Sequence, residues 1–201
     1  MLRVGLTGGI GCGKSTVTAL LREFGCHVIE ADSLAHRLME PGQPAYEEIL
    51  REFGPAILDS RGRVDRAKLG AIVFGDADKL LRLNAIVHPR VLKALEQQFS
   101  EFACANPSGV AVVEAALLIE AGYARHLDRL VVAWCTPEQQ RARLLERGMS
   151  REQAEQRIAA QMPLEEKRRR ADDVVDCSGT LDETRAQVEV LVARLKQLAA
   201  K

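Results

Sequence analysis

Apolar positions recur along this chain in two alternating rhythms. Short apolar runs lie at Leu2–Leu6, His27–Glu30, Gly109–Val113, Leu130–Trp134 and Asp173–Asp176. Between them, apolar residues fall three and four positions apart. The first pattern predicts strands, with Gly109–Val113 nearly continuous as in one buried on both faces of a parallel sheet, and the second predicts amphipathic helices. The clearest helix is Ser15–Phe24, with Val17, Leu20, Leu21 and Phe24 on one face and Gly25 placed to stop it. Further helices are expected over Pro137–Glu146, Arg151–Gln161 and Leu181–Leu198. Strand alternating with helix in this order predicts an α/β fold, a parallel five-stranded sheet flanked by helices.

The rhythm breaks between residues 33 and 106. Helical pieces are expected at Ser33–Met39, Tyr46–Phe53, Arg66–Phe74, Ala77–Ile86 and Arg90–Cys104, with turn signals at Pro41-Gly42 and Arg61-Gly62 and no convincing strand. This stretch predicts a helical insertion over the sheet's carboxyl edge, where ligands of open α/β folds bind. The expected organisation is a core from 1–32, 107–136 and 171–201, an insertion from 33–106, and a helical segment from 137–170.

The strongest chemical signal sits at the first strand–helix junction. Gly8-Gly9-Ile10-Gly11-Cys12-Gly13-Lys14-Ser15 matches G-x-x-x-x-G-K-S/T directly after a strand and opening a helix. Glycines there free the backbone so that successive amides can face phosphate oxygens. The helix that follows presents its unsatisfied amino end to the same anion. Lys14 supplies a mobile charge for the β- and γ-phosphates, the Ser15 hydroxyl is a hard ligand for Mg²⁺, and Thr16 is placed for the inner phosphates. The loop in this context predicts binding of a nucleoside triphosphate.

Four further features sort among such proteins. Asp59-Ser60-Arg61-Gly62 formally matches the D-x-x-G of a GTPase switch, after a strand-like Ala56-Ile57-Leu58. No base-reading N-K-x-D motif accompanies it, so an ordinary type I turn is the better reading. Val110–Val113 ends on Glu114, which either helps hold Mg²⁺ or merely marks the strand's exit. Asp32 follows the second strand and can orient or deprotonate an attacking hydroxyl; it could equally cap the helix Ser33–Met39. Arg143 and Arg147 stand four apart within a basic stretch interleaved with acids. They suit either a solvated amphipathic face or a lid that neutralises charge on a transferred phosphoryl group.

Composition narrows the field further. The chain is 47% apolar and 28% charged, with 28 basic against 28 acidic residues, so no bulk charge argues for nucleic acid or a membrane surface. The apolar runs fall far short of a bilayer span. Met1-Leu2-Arg3-Val4-Gly5 enters a strand pattern without the features of a secretory leader. Five scattered cysteines form no C-x-x-C pair, which predicts free thiols rather than a disulfide framework or zinc site. A cytoplasmic protein is the expectation.

Several ordered segments resemble the dephospho-CoA kinase family. Gly5-Leu6-Thr7-Gly8-Gly9-Ile10-Gly11, Val28-Ile29-Glu30-Ala31-Asp32 with Ala35 and Arg37, and Asp65-Arg66-x-x-Leu69 are similar to its sequences. Leu83-Asn84-Ala85-Ile86-Val87-His88-Pro89 resembles its L-N-x-I-x-H-P signature, and Leu117-Leu118-Ile119-Glu120 its L-L-F-E segment. Gln140-x-x-Arg143-x-x-x-Arg147 and Arg157-Ile158-x-x-Gln161 are similar to its lid, and Ala171–Asp176 to its last strand. The resemblance implies a P-loop kinase fold with a helical acceptor-binding insertion and a helical lid. It implies ATP as donor, Mg²⁺ as cofactor and the ribose 3′-hydroxyl of dephospho-CoA as acceptor, in a monomer or homo-oligomer.

The implied roles fall on particular residues. Asp32 would be the catalytic base, with Lys14 and Arg147 also catalytic. Gly8, Gly9, Gly11, Cys12, Gly13, Lys14, Ser15, Thr16 and Arg143 would bind ATP, Asp32, His88 and Arg66 the acceptor, and Ser15 with Glu114 the metal. The chain departs from the family pattern at Cys12 (commonly serine), at Ala115-Ala116 before the leucine pair, at Ile119, and at Cys177-Ser178-Gly179, where Asn-x-Gly is usual. A nucleoside monophosphate kinase and a P-loop regulatory module are the competing readings.

Overall fold

The computed structural model describes residues 1–73 and 75–201. Its sheet contains β1 (Leu2–Gly8), β2 (His27–Glu30), β3 (Val110–Glu114), β4 (Arg129–Trp134) and β5 (Asp173–Asp176). All neighbours are parallel, in the order β2-β3-β1-β4-β5. Register aligns the strands' carboxyl ends: Glu114 faces both Leu6 and Glu30, Gly8 faces Ala133, and Asp176 faces Trp134.

Alternation along the strands divides the sheet into two faces. Val4, Leu6, Val110, Val112, Val131 and Val175 turn to one face, where α1 (Lys14–Glu23) contributes Val17, Leu20 and Leu21, and α9 (Leu181–Ala199) contributes Val188, Leu191, Val192 and Leu195. On the other face Gly5 lies under Leu118 and Leu127; a Cβ on Gly5 would stand 2.7 Å from Leu127 Cδ1. The end of α1 follows the expected stop. Gly25 is left-handed at φ 86°. The Gly25 amide donates to Arg22 O and the Cys26 amide to Leu21 O, the paired bonds of a Schellman turn.

The chain divides into two compact units, Met1–Glu30 with Phe99–Lys201, and Ala31–Gln98. The first holds the sheet, α1, α9 and three shorter helices, α6 (Pro137–Glu146), α7 (Arg151–Ala159) and α8 (Leu164–Arg170). The second is helical, with α2 (Ala31–Leu38), α3 (Pro44–Phe53), α4 (Arg66–Val73) and most of α5 (Ala77–Ala105). Phe74, the expected last residue of the helix from Arg66, lies outside the described residues.

One local expectation needs correction, and two open readings are decided. Ala77–Ile86 and Arg90–Cys104 are one helix, with Pro89 inside it. Proline removes a single amide donor, while Val87, Val91, Leu95 and Phe99, four apart and all buried, run one apolar stripe through the break. Ala56-Ile57-Leu58 is no strand: Pro55–Ile57 is a short 3-10 turn, and only an isolated bridge joins Leu58 to Val64. Asp59–Gly62 between them is a turn closed by the Gly62 amide on Asp59 O at 3.1 Å, with Gly62 left-handed. Finally, Asp32 lies inside the first turn of α2, where its charge suits the helix's amino end, and is not the cap before it.

Gly8, the last residue of β1, tests how tightly β1 and β4 are joined. A Cβ there would stand 2.4 Å from the Ala133 carbonyl oxygen, a backbone atom with no room to yield. Gly8→Ala is expected to lower unfolding free energy by about 1–3 kcal/mol through overpacking, read by urea denaturation; an unchanged midpoint would show that β4 shifts freely.

Candidate active site

The loop between β1 and α1 is built from glycines for two reasons at once. Gly11 and Gly13 have φ of 78° and 87°, conformations that side-chain-bearing residues rarely adopt. Neighbours also crowd the loop from outside. A Cβ on Gly9 would meet Gln140 Nε2 at 2.7 Å, and one on Gly13 would meet Cys177 Cβ at 2.8 Å. Gly13 caps α1 without any side chain, so the first amides of the helix are left for a ligand.

Two glutamines fix the crown of the loop. Gln140, buried on α6, donates from Nε2 to the Ile10 carbonyl at 2.9 Å. Gln161, just beyond α7, accepts the Ile10 amide on Oε1 at 3.0 Å. Both backbone polar groups of one loop residue, Ile10, are thereby held by side chains of the segment after β4. Both glutamines stand in the motifs quoted above, but a side-chain amide carries no charge signal, so their tie to the loop is visible only in three dimensions.

Lys14 opens α1 and forms a partly buried ion pair with Glu114 at the end of β3. The carboxylate thus holds the lysine ammonium. Ser15 is exposed and Thr16 half-buried. Ala116 lines the hollow beside Lys14 and Ser15. Its carbonyl accepts from Thr7 Oγ1 at 3.2 Å and from Lys167 Nζ at 2.7 Å. Lys167 on α8 is wholly buried and also pairs with Glu120 at 2.9 Å. Burial works against the Glu120 carboxylate, but Lys167 and the Met162 amide outweigh it and hold its pKa below the usual range. The Ala115-Ala116 segment therefore keeps its place through a buried lysine.

The two arginines four apart behave differently. Arg143 is engaged: Nη2 donates to Cys177 O at 2.7 Å and Nη1 to Gly11 O at 3.5 Å, tying α6 to the loop and the end of β5. Arg147, at the exposed end of α6, has no hydrogen-bond or ion-pair partner for its guanidinium among the described residues. It lines two hollows that share Gly11 and Gly13. One runs toward Lys14, Ser15 and Gln161, the other toward Thr16, Cys177 and Thr180.

The remaining expected residues lie in the helical unit. Asp32 is exposed on α2. Arg66 opens α4 and, with His36 and Met39, lines two hollows; Asp59 and Arg63 stand in the first, Leu69 and Val73 in the second. Burial and the Arg66 charge hold His36 below its ordinary pKa, with Asp32 pulling the other way. Sequence reading passed over His36, a residue flagged only by this placement. His88 is half-buried within α5, and burial favours its neutral form. Among the described residues, His88 lines neither hollow.

The bonds at Ile10 have fixed polarity, which makes them testable without nucleotide. Gln161→Glu keeps an acceptor for the Ile10 amide and should leave urea stability near that of the parent. Gln140→Glu faces a carbonyl with a carboxylate and should cost about 1–3 kcal/mol. Equal effects of the two substitutions would show that these bonds do not hold the loop.

Comparison with known proteins agrees with this geometry. The family model described as CoaE, dephospho-CoA kinase, matches residues 2–183. A dephospho-CoA kinase of Symbiobacterium thermophilum is 49% identical over 92% of this chain and 78% of its own length. That of Aquifex aeolicus is 43% identical over 97% and 98%. Among solved structures, TT1252 from Thermus thermophilus superposes with a TM-score of 0.83 at 36% identity, covering 96% of this chain and 97% of its own. Dephospho-CoA kinase from Campylobacter jejuni gives a TM-score of 0.73 at 25% identity, covering 97% of both chains. A shikimate kinase from Aquifex aeolicus, at 17% identity and a TM-score of 0.50, shares the fold alone. With a phosphate loop in place and near-complete alignment to these enzymes, the chain belongs to the dephospho-CoA kinase family.

Proposed function

We propose that this protein transfers the γ-phosphoryl group of ATP to the ribose 3′-hydroxyl of dephospho-CoA, giving coenzyme A and ADP in the cytoplasm. The observation that carries the reading is the glycine-clamped loop, Gly8–Gly13, opening onto Lys14 and the uncapped amino end of α1. In this reading the loop amides, Ser15 and Thr16 hold the polyphosphate, and Lys14 turns from Glu114 to the β- and γ-phosphates. Arg143 supports the nucleotide side through its hold on Gly11 and Cys177.

The Ser15 hydroxyl is a hard donor suited to Mg²⁺, and Glu114 offers a carboxylate once Lys14 leaves it. Bound there with the nucleotide, Mg²⁺ would neutralise charge on the phosphate oxygens. Asp32, exposed two residues past β2, accepts or orients the acceptor hydroxyl's proton. Arg147, with no competing partner among the described residues, supplies positive charge to the transferred group and helps exclude water. In the helical unit, Arg66 and His88 contact the acceptor. The roles assigned to the core, the insertion and the segment 137–170 follow: nucleotide, acceptor and lid.

Incubation with ATP, Mg²⁺ and a panel of acceptors, following ADP, should show turnover with dephospho-CoA and not with nucleoside monophosphates. Lack of dephospho-CoA-dependent ADP would overturn the proposal. Lys14→Met and Asp32→Asn are each expected to lower kcat by roughly 10²–10⁴, with unfolding midpoints close to the parent's. Near-normal turnover by Asp32→Ala would remove that residue from the chemistry.

A further inference from the structure

Three buried thiols back the phosphate loop. Cys12 lies within it, between the left-handed Gly11 and Gly13. Cys135 directly follows β4 and Cys177 directly follows β5. All are free and buried, whereas Cys104 is exposed. The sulfurs of Cys12 and Cys135 are 3.0 Å apart. That is about 1 Å longer than a disulfide bond of ~2.05 Å, so only a small approach separates the pair from covalent bonding.

The pair is chemically unequal. The bond to Cys135, together with burial, holds the proton on Cys12. The hydrogen bond shared by the two sulfurs lowers the Cys135 pKa, opposed by burial and aided by the Arg143 guanidinium. In the step proposed below, Cys135 acts as the nucleophile and Cys12 as the resolving thiol.

We propose that Cys12 and Cys135 form an oxidation site that a hydroperoxide closes into a disulfide, reversibly disabling the phosphate loop. The Cys135 thiolate attacks a peroxide oxygen and the O–O bond breaks, leaving Cys135 as the sulfenic acid and releasing hydroxide. The Cys12 sulfur then attacks Cys135, the S–O bond breaks, and the Cys12 proton leaves with the hydroxyl as water. Two electrons pass from the two thiols to the peroxide.

Shortening this contact draws Cys12 toward β4. Its neighbours cannot follow freely: a Cβ on Gly13 would already be 2.8 Å from Cys177, and one on Gly9 is 3.0 Å from Cys12 Sγ. The amides around Cys12 must therefore turn from their phosphate-facing positions. Because both sulfurs are buried, oxidation requires transient opening of the loop, and bound ATP should slow it. The loss of turnover rests on the proposed phosphate-binding role of the loop; formation of the bond does not.

The test uses the full chain with Cys104→Ser, removing the exposed thiol, treated with hydrogen peroxide and quenched. Mass spectrometry should show a loss of two hydrogens, and a nonreduced tryptic digest should link Val4–Lys14 to Leu130–Arg141. Dephospho-CoA-dependent turnover should fall about tenfold or more and return with dithiothreitol. Cys135→Ser in the same background should be active and keep its activity in peroxide. Absence of the linked peptide, linkage of Cys135 to Cys177 instead, or a linked protein with full turnover would each overturn the proposal. The peptide map needs no substitution at the pair, so a misfolded Cys135→Ser leaves the test decisive.

Discussion

The phosphate loop must be open on its inner side and filled on its outer side, and backbone packing imposes both. Gly8, Gly9 and Gly13 face Ala133 O, Gln140 Nε2 and Cys177 Cβ so closely that a single methyl group on any of them would meet an atom within 3.0 Å. These neighbours come from the end of β4, from α6 and from the residue after β5. The loop's shape is therefore dictated by elements more than a hundred residues away. The order β3-β1-β4-β5 is what brings those elements to the end of β1.

Packing alone leaves polar groups to satisfy, and side chains from the segment after β4 satisfy them. Gln140 and Gln161 saturate Ile10, Arg143 reaches the carbonyls of Gly11 and Cys177, and Lys167 holds the carbonyl of Ala116. Each is a long side chain ending in several donors or acceptors, which lets a helix fix a loop without covering it. Burying Lys167 would be costly in isolation. Glu120 and the bond to the Ala116 carbonyl make the site tolerable, and removing either partner would expose the full desolvation penalty.

Much of this was legible in the sequence because it depends on local chemistry. The five strands, the glycine stop at Gly25 and the phosphate loop all announce themselves in runs of a few residues. Pro89 did not, because a helix breaker is judged locally while the stripe Val87, Val91, Leu95 and Phe99 decides the outcome by burial. Ala56–Leu58 stayed ambiguous, since three apolar residues cannot distinguish a strand from a tight turn. Gln140, Gln161, His36 and Cys135 were invisible as functional candidates for a different reason. Their significance lies wholly in which atom they face.

The neutral net charge of this chain is no obstacle to gripping a polyphosphate, because the relevant field is local. Lys14 and Arg147 line the loop's hollow together, with the amino end of α1 adding its dipole. The contacts of the basic residues around the loop differ in a way that charge counting cannot show. Lys14 is held by Glu114 and Arg143 by two carbonyls, so each has a defined position. Arg147 has no such partner among the described residues. Of the two arginines on one face, the partnered one shapes the site and the unpartnered one is available for new charge. A spacing of four residues would suggest equivalence; the atoms each guanidinium touches set them apart.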